Sequence, residues 1–383
     1  MEIIDKFDSG LLEEYESFVK SHKNGSYFQS LNWPKLKNNW GWDAVISRDG
    51  EGRIRGTCLL LIKKIPAMNT SFLYAPRGPV FDYDDAETFE DLFEGIKQLG
   101  KKYKSYEFMC DPFFIEGDEK RSEFLKSRGF THPEHCPPFT TVQLRDMYMI
   151  RNIKGMTPDE LMATFKPDWR NRIRKAPKKG VYCKICGTEA LDDFYPIAVD
   201  TGVRDGFTVR SREYHERFIN AFSPDECRLF ICYVEEDGKE IPISGALAVR
   251  YAGKTIYVYG ASANHHRNLY PNYLMQWSMM NWALEGGCDI YDFAGIPYYD
   301  DKSNPVYGVY KFKKGFNGEV VTYAGEYYYT LRPVMTKLAK AGRQLMEIRR
   351  RILHKRKMDI RDANLKKAEK EKQQNANSED GNT

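Results

Sequence analysis

Two stretches of the chain place aromatic side chains beside lysine or arginine, a combination that can bind an anionic substrate. The first stretch holds Lys37 between the tryptophans Trp33 and Trp40. A lysine beside aromatic rings could meet a phosphate, although a tryptophan-rich edge of the core with solvated lysines is an equally good interpretation. In the second stretch Arg210 and Tyr214 lie four residues apart, so a helix would bring them to one face, and a guanidinium group suits phosphate or carboxylate.

A third stretch, residues 307–316, alternates aromatic and basic residues. If this stretch is extended, Lys311 and Lys313 share one face and Phe312 lies on the other, because side chains alternate along a strand. We therefore treat it as a further candidate for binding an anion.

Residues 166–180 are strongly basic and contain a single acid, Asp168. We predict a short helix that is broken at Pro177. A run of charge is usually a solvated helix face, but here the acids that normally separate the bases are missing. Because like charges on one helix repel, a polyanionic partner is the better explanation. The candidate contacts are Arg170, Arg172, Arg174, Lys178 and Lys179.

Several common catalytic and metal-binding motifs are missing from the sequence. The chain has no phosphate-binding G-x-x-x-x-G-K-[ST] loop, no G-x-G-x-x-G and no G-x-S-x-G, which disfavours an ATPase, a dinucleotide enzyme and an α/β-hydrolase. Cys183 and Cys186 have the CxxC spacing, but residues 132–136 do not supply a second pair with standard spacing, so we discount zinc. His265 and His266 form a solvated pair in a loop.

The composition indicates a folded protein of one large domain or two ordinary ones. The chain has 383 residues, of which 42% are hydrophobic and 29% charged, which excludes a wholly disordered chain. No apolar run approaches the ~20 residues of a membrane-spanning helix, and the first ten residues do not resemble a signal peptide. We therefore expect a cytoplasmic protein whose eight cysteines are reduced.

The net charge of +4 is unevenly distributed along the chain. Residues 332–357 carry a net charge of +9, residues 358–383 carry −1, and residues 1–331 carry −4. The basic character is thus mostly C-terminal, and its expected partners are polyanions, either a nucleic acid or an anionic membrane surface. Apolar residues from Val334 to Ile352 alternate at spacings of four and three, which predicts a long helix there.

The order strand, loop, helix, strand, acidic residue occurs twice. In the first half, a helix over residues 86–104 precedes a strand over residues 106–111. In the second, a strand over residues 255–262 leads to a helix over residues 272–285 and a strand over residues 289–293. This recurrence predicts two similar α/β halves.

Taken in order, these stretches resemble the Fem family (FemABX) of peptidoglycan-bridge aminoacyltransferases. The matching segments extend over residues 27–326 and include Tyr74–Val80, Arg204–Phe207, Tyr259–Ser262 and Tyr310–Phe316. Each segment alone is a weak signal, whereas the ordered set is highly specific.

The resemblance implies an α/β (α+β) fold of two tandem GNAT-like subdomains followed by a basic C-terminal helix. The first would comprise residues 1–150, completed by residues 317–345, and the second residues 151–316. Residues 346–383 would form the basic helix and a disordered tail. The strand after Cys227 follows Phe222 without a helical arm, so the chain is most similar to the armless FemX-like alanyltransferases.

The family activity is transfer of an amino acid from aminoacyl-tRNA to the side-chain amine of the peptidoglycan stem peptide. The acceptor is either UDP-MurNAc-pentapeptide or lipid II. We expect a monomer, and the charge pattern leads us to expect that the basic C-terminal helix contacts either the tRNA or the inner membrane surface. No cofactor is implied.

The resemblance also implies a role for individual residues. Lys37 and Arg210 would bind the acceptor's diphosphate, and Asp111 would lie near its amine. Phe312 and Lys313 would meet the end of the tRNA and the reacting ester, with Lys311 as the alternative to Lys313. The acceptor groove would be lined by Tyr106, Tyr214 and Tyr257, with Tyr259 as the alternative to Tyr257.

The chemistry of this transfer suits these residue types. The donor ester is already activated, so neither ATP nor a metal is required. Keeping the acceptor amine as its free base at pH 7 costs about 4.6 kcal/mol, since its usual pKa is ~10.4. Desolvation, a carboxylate such as Asp111, or the vicinal hydroxyl of the tRNA could offset this cost, and Lys313 could stabilise the oxyanion.

Two other classes of protein remain as alternatives. An ordinary GNAT acetyltransferase, or one using another acyl donor, would need a glycine-rich pyrophosphate loop, and residues 266–272 lack those glycines. A non-catalytic protein that binds RNA or membranes would use the basic stretches alone. It would not account for aromatic and basic groups at several separate sites.

Overall fold

The computed structural model describes residues 1–133, 137, 139–342 and 344. Its first sheet is mixed, with strand order β1-β2-β3-β4-β6-β15-β7, and β5 pairs with β3. The strands of this sheet are β1 (Glu2–Ile3), β2 (Gly41–Arg48), β3 (Ile54–Ile65), β4 (Thr70–Ala75), β5 (Val80–Phe81), β6 (Ser105–Cys110), β7 (Phe130–Thr131) and β15 (Tyr327–Thr330).

The second sheet is also mixed and has the strand order β14-β8-β13-β12-β11-β10-β9. Its strands are β8 (Asp146–Arg151), β9 (Tyr182–Cys186), β10 (Cys227–Glu236), β11 (Lys239–Tyr251), β12 (Lys254–Ser262), β13 (Ile290–Gly295) and β14 (Glu319–Thr322). Strand β14 pairs with β8 in the second sheet, and the next strand, β15, belongs to the first sheet. The chain therefore returns to the first sheet between β14 and β15.

Helices lie between these strands. They are α1 (Ser9–Ser21), α2 (Trp33–Leu36), α3 (Ala86–Lys102), α4 (Glu119–Lys126), α5 (Pro158–Thr164), α6 (Pro167–Lys178), α7 (Leu191–Asp205), α8 (Arg212–Ala221), α9 (Pro271–Glu285) and α10 (Tyr307–Lys314). Helix α5 begins with a capping box between Thr157 and Glu160. Short 3₁₀ turns lie at Tyr27–Gln29, Pro66–Met68, Thr188–Ala190 and Arg267–Leu269.

The two halves repeat one arrangement of strands and helix, as the sequence predicts. In the first half β3 and β4 are antiparallel, α3 follows, and β6 returns parallel to β4. In the second half β11 and β12 are antiparallel, α9 follows, and β13 returns parallel to β12. Both crossovers are β–α–β units, which are covered by a helix on one face.

One hydrophobic core joins the two halves. It contains Tyr15 of α1 and Leu59 of β3 together with Phe194 of α7 and Leu247 of β11. Across the junction, the hydroxyl of Tyr251 donates a 2.6 Å hydrogen bond to Glu16. Residues 1–329 accordingly form one compact unit, in which both sheets hold their positions.

Sheet membership differs from the predicted subdomain boundaries. Strands β8 and β14 both belong to the second sheet, so that sheet takes residues 146–322, where we expected residues 151–316. The return to the first sheet occurs at β15. The division into two subdomains stays a prediction, as residues 1–329 form a single unit.

Some local expectations need correction, and others concern residues that the structure does not describe. Residues 307–314 form helix α10, so Lys311 and Lys313 do not share the face of a strand. Helix α6 continues through Pro177 and ends one residue later. A helix covers residues 333–342, but most of the predicted basic helix and tail lies outside the described residues. Only residues 222–226 separate α8 from β10, so there is no helical arm at that point.

Candidate functional site

A cleft of about 360 Å³ opens between the two sheets. Its walls come from residues 26–37 and the loop after β4 in the first half, and from α8, β12 and β13 in the second. Phe113, Arg210, Tyr323 and residues within 142–149 also line it. Substrate sites are commonly formed at such junctions, because two rigid elements can each contribute part of the wall.

Lys37 and Arg210 both line the cleft, which brings together the pair expected to bind a diphosphate. The ammonium of Lys37 lies 4.6 Å from the ring centre of Trp33, and the guanidinium of Arg210 lies 5.3 Å from that of Tyr214. Burial, with a smaller contribution from the charge of Arg210, lowers the pKa of Lys37 to about 8. Two facing cations on aromatic supports favour an anionic ligand.

Arg77 and Lys254 bring two more positive charges to the lining. Arg77 has a φ of 52°, and its guanidinium lies 4.8 Å from the ring centre of Tyr323. Lys254 donates 2.9 Å hydrogen bonds to the carbonyls of Lys23 and Gly25, and burial lowers its pKa to about 8. Neither residue was singled out from the sequence.

Asp292 is an acid in this cationic cleft, and sequence reasoning missed it. It lies on β13, directly beside Ile256 of β12 and Met149 of β8. Its Oδ1 accepts a 2.7 Å hydrogen bond from the backbone of Ala294. Burial raises the pKa of Asp292, while that hydrogen bond and the charge of Lys313 oppose the rise. The repeated acidic residue after each helix was the available signal.

Lys313 is buried and lies against the strand that carries Asp292. Its ammonium donates to the carbonyls of Gly295 at 2.8 Å and Ala294 at 3.4 Å. Burial lowers the pKa of Lys313 to about 7, and the charge of Asp292 opposes this effect. Lys313 therefore contacts the wall of the cleft from behind, and the wall residues Ala294 and Gly295 separate it from the cavity.

Asp111 does not line the cleft, contrary to its predicted position beside the acceptor amine. Its side chain is buried and accepts hydrogen bonds from the backbone of Arg77 at 2.7 Å and from the hydroxyl of Tyr74 at 3.1 Å. Burial raises the pKa of Asp111 to about 6. Since both carboxylate oxygens are occupied by the protein, Asp111 holds the Arg77 loop in position.

Of the tyrosines expected in the acceptor groove, Tyr214 lines the cleft and Tyr106 does not. Tyr106 is buried on β6, where its ring packs 5.8 Å from that of Phe72. Tyr106 is therefore a core residue.

Tyr259 lines the cleft, and Tyr257 does not. The pairing of β12 with β11 shifts by one residue, so that Tyr259 lies opposite Leu247 and Tyr257 opposite Ala248, with Val258 as the extra residue. Such a bulge interrupts the alternation of side chains. Tyr257 consequently packs into the core below the sheet, and the alternative considered for the groove, Tyr259, takes the position in the wall.

Phe312 lies between helices, at a different place from the cleft lining. Its ring packs 5.2 Å from Tyr273 of α9, and its carbonyl accepts a 3.0 Å hydrogen bond from the indole of Trp169 on α6. Through these contacts α10, which carries Lys313, is attached to the basic helix α6.

The predicted tRNA contacts on α6 fall into two groups. Arg170, Arg172 and Lys179 are held by the protein, through the carbonyl of Ala163, the hydroxyl of Tyr273 and the carbonyl of Asn268. The other two, Arg174 and Lys178, are exposed and available to a partner, and so is Lys175, which was not among the predicted contacts.

The structure adds two observations on metals and membranes. Among the described residues, His, Cys, Asp and Glu side chains form no cluster of three that could hold a metal ion. Cys183 of the CxxC pair lies opposite Cys232 on the neighbouring strand. Within the same residues, no helix combines the length and apolar character needed to cross a membrane.

The fold and the cleft define a tandem GNAT-like class of protein. A tandem GNAT protein from the clavulanic acid biosynthesis pathway superposes with a TM-score of 0.50 at 10% identity, over 86% of this chain and 98% of that one. The likeness supports the fold alone.

The model of the FemAB family matches residues 12–235 and 232–343, and the chain belongs to this family. It is 29% identical over 395 aligned residues to lipid II:glycine glycyltransferase of Staphylococcus aureus (strain USA300), covering 85% of this chain and 93% of the relative. The crystal structure of FemX superposes with a TM-score of 0.81 at 26% identity, over 88% of this chain and 99% of that one.

Proposed function

We propose that the protein transfers an amino acid from aminoacyl-tRNA to the side-chain amine of a peptidoglycan stem peptide. The acceptor is UDP-MurNAc-pentapeptide or lipid II, and the product is an interpeptide bridge. The observation that carries this proposal is the facing pair Lys37 and Arg210 in a cleft of a FemAB-family fold. Family membership and the likeness to a lipid II:glycine glycyltransferase support the same reaction.

The acceptor would bind in the cleft through its diphosphate and its peptide. Lys37 and Arg210 supply charge for the diphosphate, because a guanidinium and an ammonium together can contact several phosphate oxygens. Tyr214 and Tyr259 give the adjoining wall an aromatic surface, with ring centres 6.4 Å apart. The peptide amine would then reach the second group of charges, around Asp292.

The donor would approach from the side of α6 and α10. The exposed residues Arg174, Lys175 and Lys178 would contact the tRNA backbone, while Phe312 and Lys313 would lie nearest its acylated end. As the amine attacks the ester, negative charge develops on the carbonyl oxygen, and the Lys313 ammonium is suited to stabilise it. Local movement of residues 294–295 would be needed for direct contact, since their carbonyls now hold that ammonium.

An acetyl-CoA-dependent enzyme is the first alternative, and the start of α9 argues against it. In a GNAT acetyltransferase the amides at this helix N-terminus bind a pyrophosphate. Here Tyr270 precedes the helix with a φ of 65°, and Pro271 at the first position has no amide hydrogen to donate. The helix start is also occupied by aromatic packing between Tyr270 and Tyr273.

The second alternative is a protein that binds RNA or a membrane without catalysis. The cleft favours an enzyme, because a surface-binding role does not require a buried lysine and a half-buried carboxylate at a cleft between two sheets. Under the proposed function the protein works as a monomer on the cytoplasmic side, and a lipid-linked acceptor would bring it to the inner face of the plasma membrane.

The test is transfer of label from a mixed pool of radiolabelled aminoacyl-tRNA. The full chain is incubated with the pool and either UDP-MurNAc-pentapeptide or lipid II in detergent, and the product is weighed by mass spectrometry. We expect the mass of one acceptor to increase by one or more aminoacyl residues, which also identifies the amino acid. Transfer to neither acceptor, with acyl transfer from acetyl-CoA instead, would overturn the proposal.

A further inference from the structure

Asp292 is the one acid among the charged residues that the described part of the chain contributes to the cleft lining; the others are Lys37, Arg77, Arg210 and Lys254. An anionic substrate alone would not require an acid here, because a carboxylate repels phosphate. A half-buried carboxylate in the lining therefore indicates that a cationic part of the substrate reaches this point.

The carboxylate has a free acceptor position toward the cleft. Its Oδ1 accepts the 2.7 Å hydrogen bond from Ala294, whereas its Oδ2 has no hydrogen-bond partner among the described residues. Tyr291 and Phe293, its neighbours on β13, pack on the opposite side of the sheet, so Asp292 faces the cleft. The side chains of its strand partners, Ile256 and Met149, have no hydrogen-bond donor to offer the carboxylate.

The surrounding cations favour the ionised form of Asp292 without forming ion pairs with it. Lys313, Arg77 and Lys254 each oppose the rise that burial produces in its pKa. The hydrogen bonds of these three cations go to backbone carbonyls: Gly295, Leu144 and Gly25 are among the acceptors. The phenols of Tyr27 and Tyr323 are the other titratable groups of the cleft lining that interact electrostatically with Asp292, and the phenol of Tyr291 does so from the other side of the sheet.

Asp111 contrasts with Asp292 in each of these respects. It lies outside the lining of the cleft, and both of its oxygens accept hydrogen bonds from the protein. The two acids occupy related places in the repeated halves, just after or within the strand that follows the crossover helix. Only the second-half acid can meet a substrate.

We propose, on the basis of the proposed function, that Oδ2 of Asp292 binds the acceptor's ammonium group and removes the proton that blocks its attack. The proton passes from nitrogen to Asp292, and the freed electron pair forms the C–N bond to the ester carbonyl carbon. The carbon–oxygen bond to the tRNA ribose then breaks, and the ribose oxygen takes a second proton from the same nitrogen. Asp292 finally releases its proton to water, so one proton is produced for each amide formed.

The experiment measures single-turnover transfer from aminoacyl-tRNA at saturating acceptor, between pH 6 and pH 9. Asp292→Asn should slow transfer by about 10²-fold or more at pH 7, which is the usual contribution of a general base. Because the fraction of free amine grows about tenfold per pH unit below its pKa, the ratio of wild-type to D292N rates should fall steeply as the pH rises. Other groups titrate in both proteins and affect both rates alike, so the ratio of the two rates reports the contribution of Asp292.

Two further variants separate proton transfer from a structural role. Asp292→Ala should regain part of its rate when formate is added, since formate can replace the missing carboxylate. Asp289→Asn is the matched control, because Asp289 is an exposed acid three residues earlier and should transfer at the wild-type rate.

The outcomes are distinguishable from failure of the proposed function. If the wild-type protein transfers nothing to either acceptor, the proposed function itself fails. If the wild type is active and D292N matches its rate, or if D292N is slower by the same factor at every pH and formate does not rescue D292A, the role of Asp292 as proton acceptor is wrong.

Discussion

The ammonium of Lys313 donates a 2.8 Å hydrogen bond to the carbonyl of Gly295, three residues beyond Asp292 on the same strand. The buried cation is thus attached to the backbone that continues from the acid in the cleft. This hydrogen bond links α10 to β13. It places Lys313, which we expect to act on the ester, and Asp292, which we expect to act on the amine, on opposite sides of one peptide segment.

We predict that Lys313→Met lowers the turnover number at least about tenfold, while the KM for the acceptor changes little. Burial lowers the pKa of Lys313 to about 7, so the stabilising charge is present below that pH and is lost as the pH rises through it. Wild-type turnover should therefore decline above neutral pH. The measurement is a pH profile of turnover under saturating tRNA, and Lys313→Arg, which stays charged, should lack this decline. Equal turnover by K313M and wild type would exclude the role.

We predict that Lys37→Ala raises the KM for the acceptor about tenfold, because a charge-assisted hydrogen bond to phosphate is typically worth more than about 1 kcal/mol. Lys35→Ala is the matched control, since Lys35 is exposed on helix α2, which ends just before Lys37, and does not line the cleft. Steady-state kinetics on both variants provide the measurement. A similar KM for K37A and K35A would contradict the assignment of the diphosphate site.

The bulge in β12 predicts opposite results for two tyrosines. Tyr259→Ala should raise the KM for the acceptor several-fold, because it removes an aromatic surface from the wall of the cleft. Tyr257→Phe should leave the kinetics unchanged, since its ring lies on the other side of the sheet. Thermal melts should show both proteins to be folded. A higher KM for the acceptor in Y257F, with no change in Y259A, would mean that Tyr257 and not Tyr259 faces the cleft in solution.

We predict that the exposed basic side chains of α6 contribute to the salt dependence of the affinity for tRNA. Replacing Arg174 and Lys178 by alanine should weaken binding and lower the slope of log affinity against log salt by about 0.7–0.9 for each phosphate that the variant no longer neutralises. Lys101→Ala, at an exposed site on α3, should change neither quantity. Filter binding at several salt concentrations tests this. An unchanged slope in the double variant would remove α6 from the tRNA-binding surface.

We predict that Asp111 makes the free energy of unfolding depend on pH and that it takes no direct part in catalysis. Burial raises its pKa from 3.8 to about 6, so between these values the unfolded chain releases a proton that the folded chain keeps. The free energy of unfolding should consequently fall as the pH rises through this window, by about 3 kcal/mol for this group. In Asp111→Asn this component is missing, so the variant should gain stability relative to wild type from pH 4 to pH 7. Urea melts that change in parallel for both proteins would contradict the assignment.

Much of the fold could be predicted from the sequence, because it depends on local patterns. The helices predicted over residues 86–104 and 272–285, with the strands predicted beside them, identify both crossovers. Lys37 and Arg210, singled out because aromatic residues lie beside them in the sequence, both line the cleft, and their role in binding a diphosphate stays a prediction.

The remaining errors have long-range causes. Residues 307–314 alternate aromatic and basic side chains, yet packing against Trp169 and Tyr273 makes them helical. The extra residue Val258 changes which tyrosine meets the cleft, and a single inserted residue leaves no trace in an alternating pattern. The position of Asp292 depends on β12 and β8, strands separated by about a hundred residues in the chain.

The crowding around Gly260 has a consequence for reading mutational data on this protein. A β-carbon at that position would lie 1.5 Å from the hydroxyl oxygen of Tyr257, at the far end of that side chain. Any other residue at position 260 should therefore displace the half-buried ring of Tyr257 and lower the stability of the protein. A saturation library scored by activity alone would thus rank position 260 among the sensitive sites, although its intolerance reports the packing of a tyrosine that does not line the cleft.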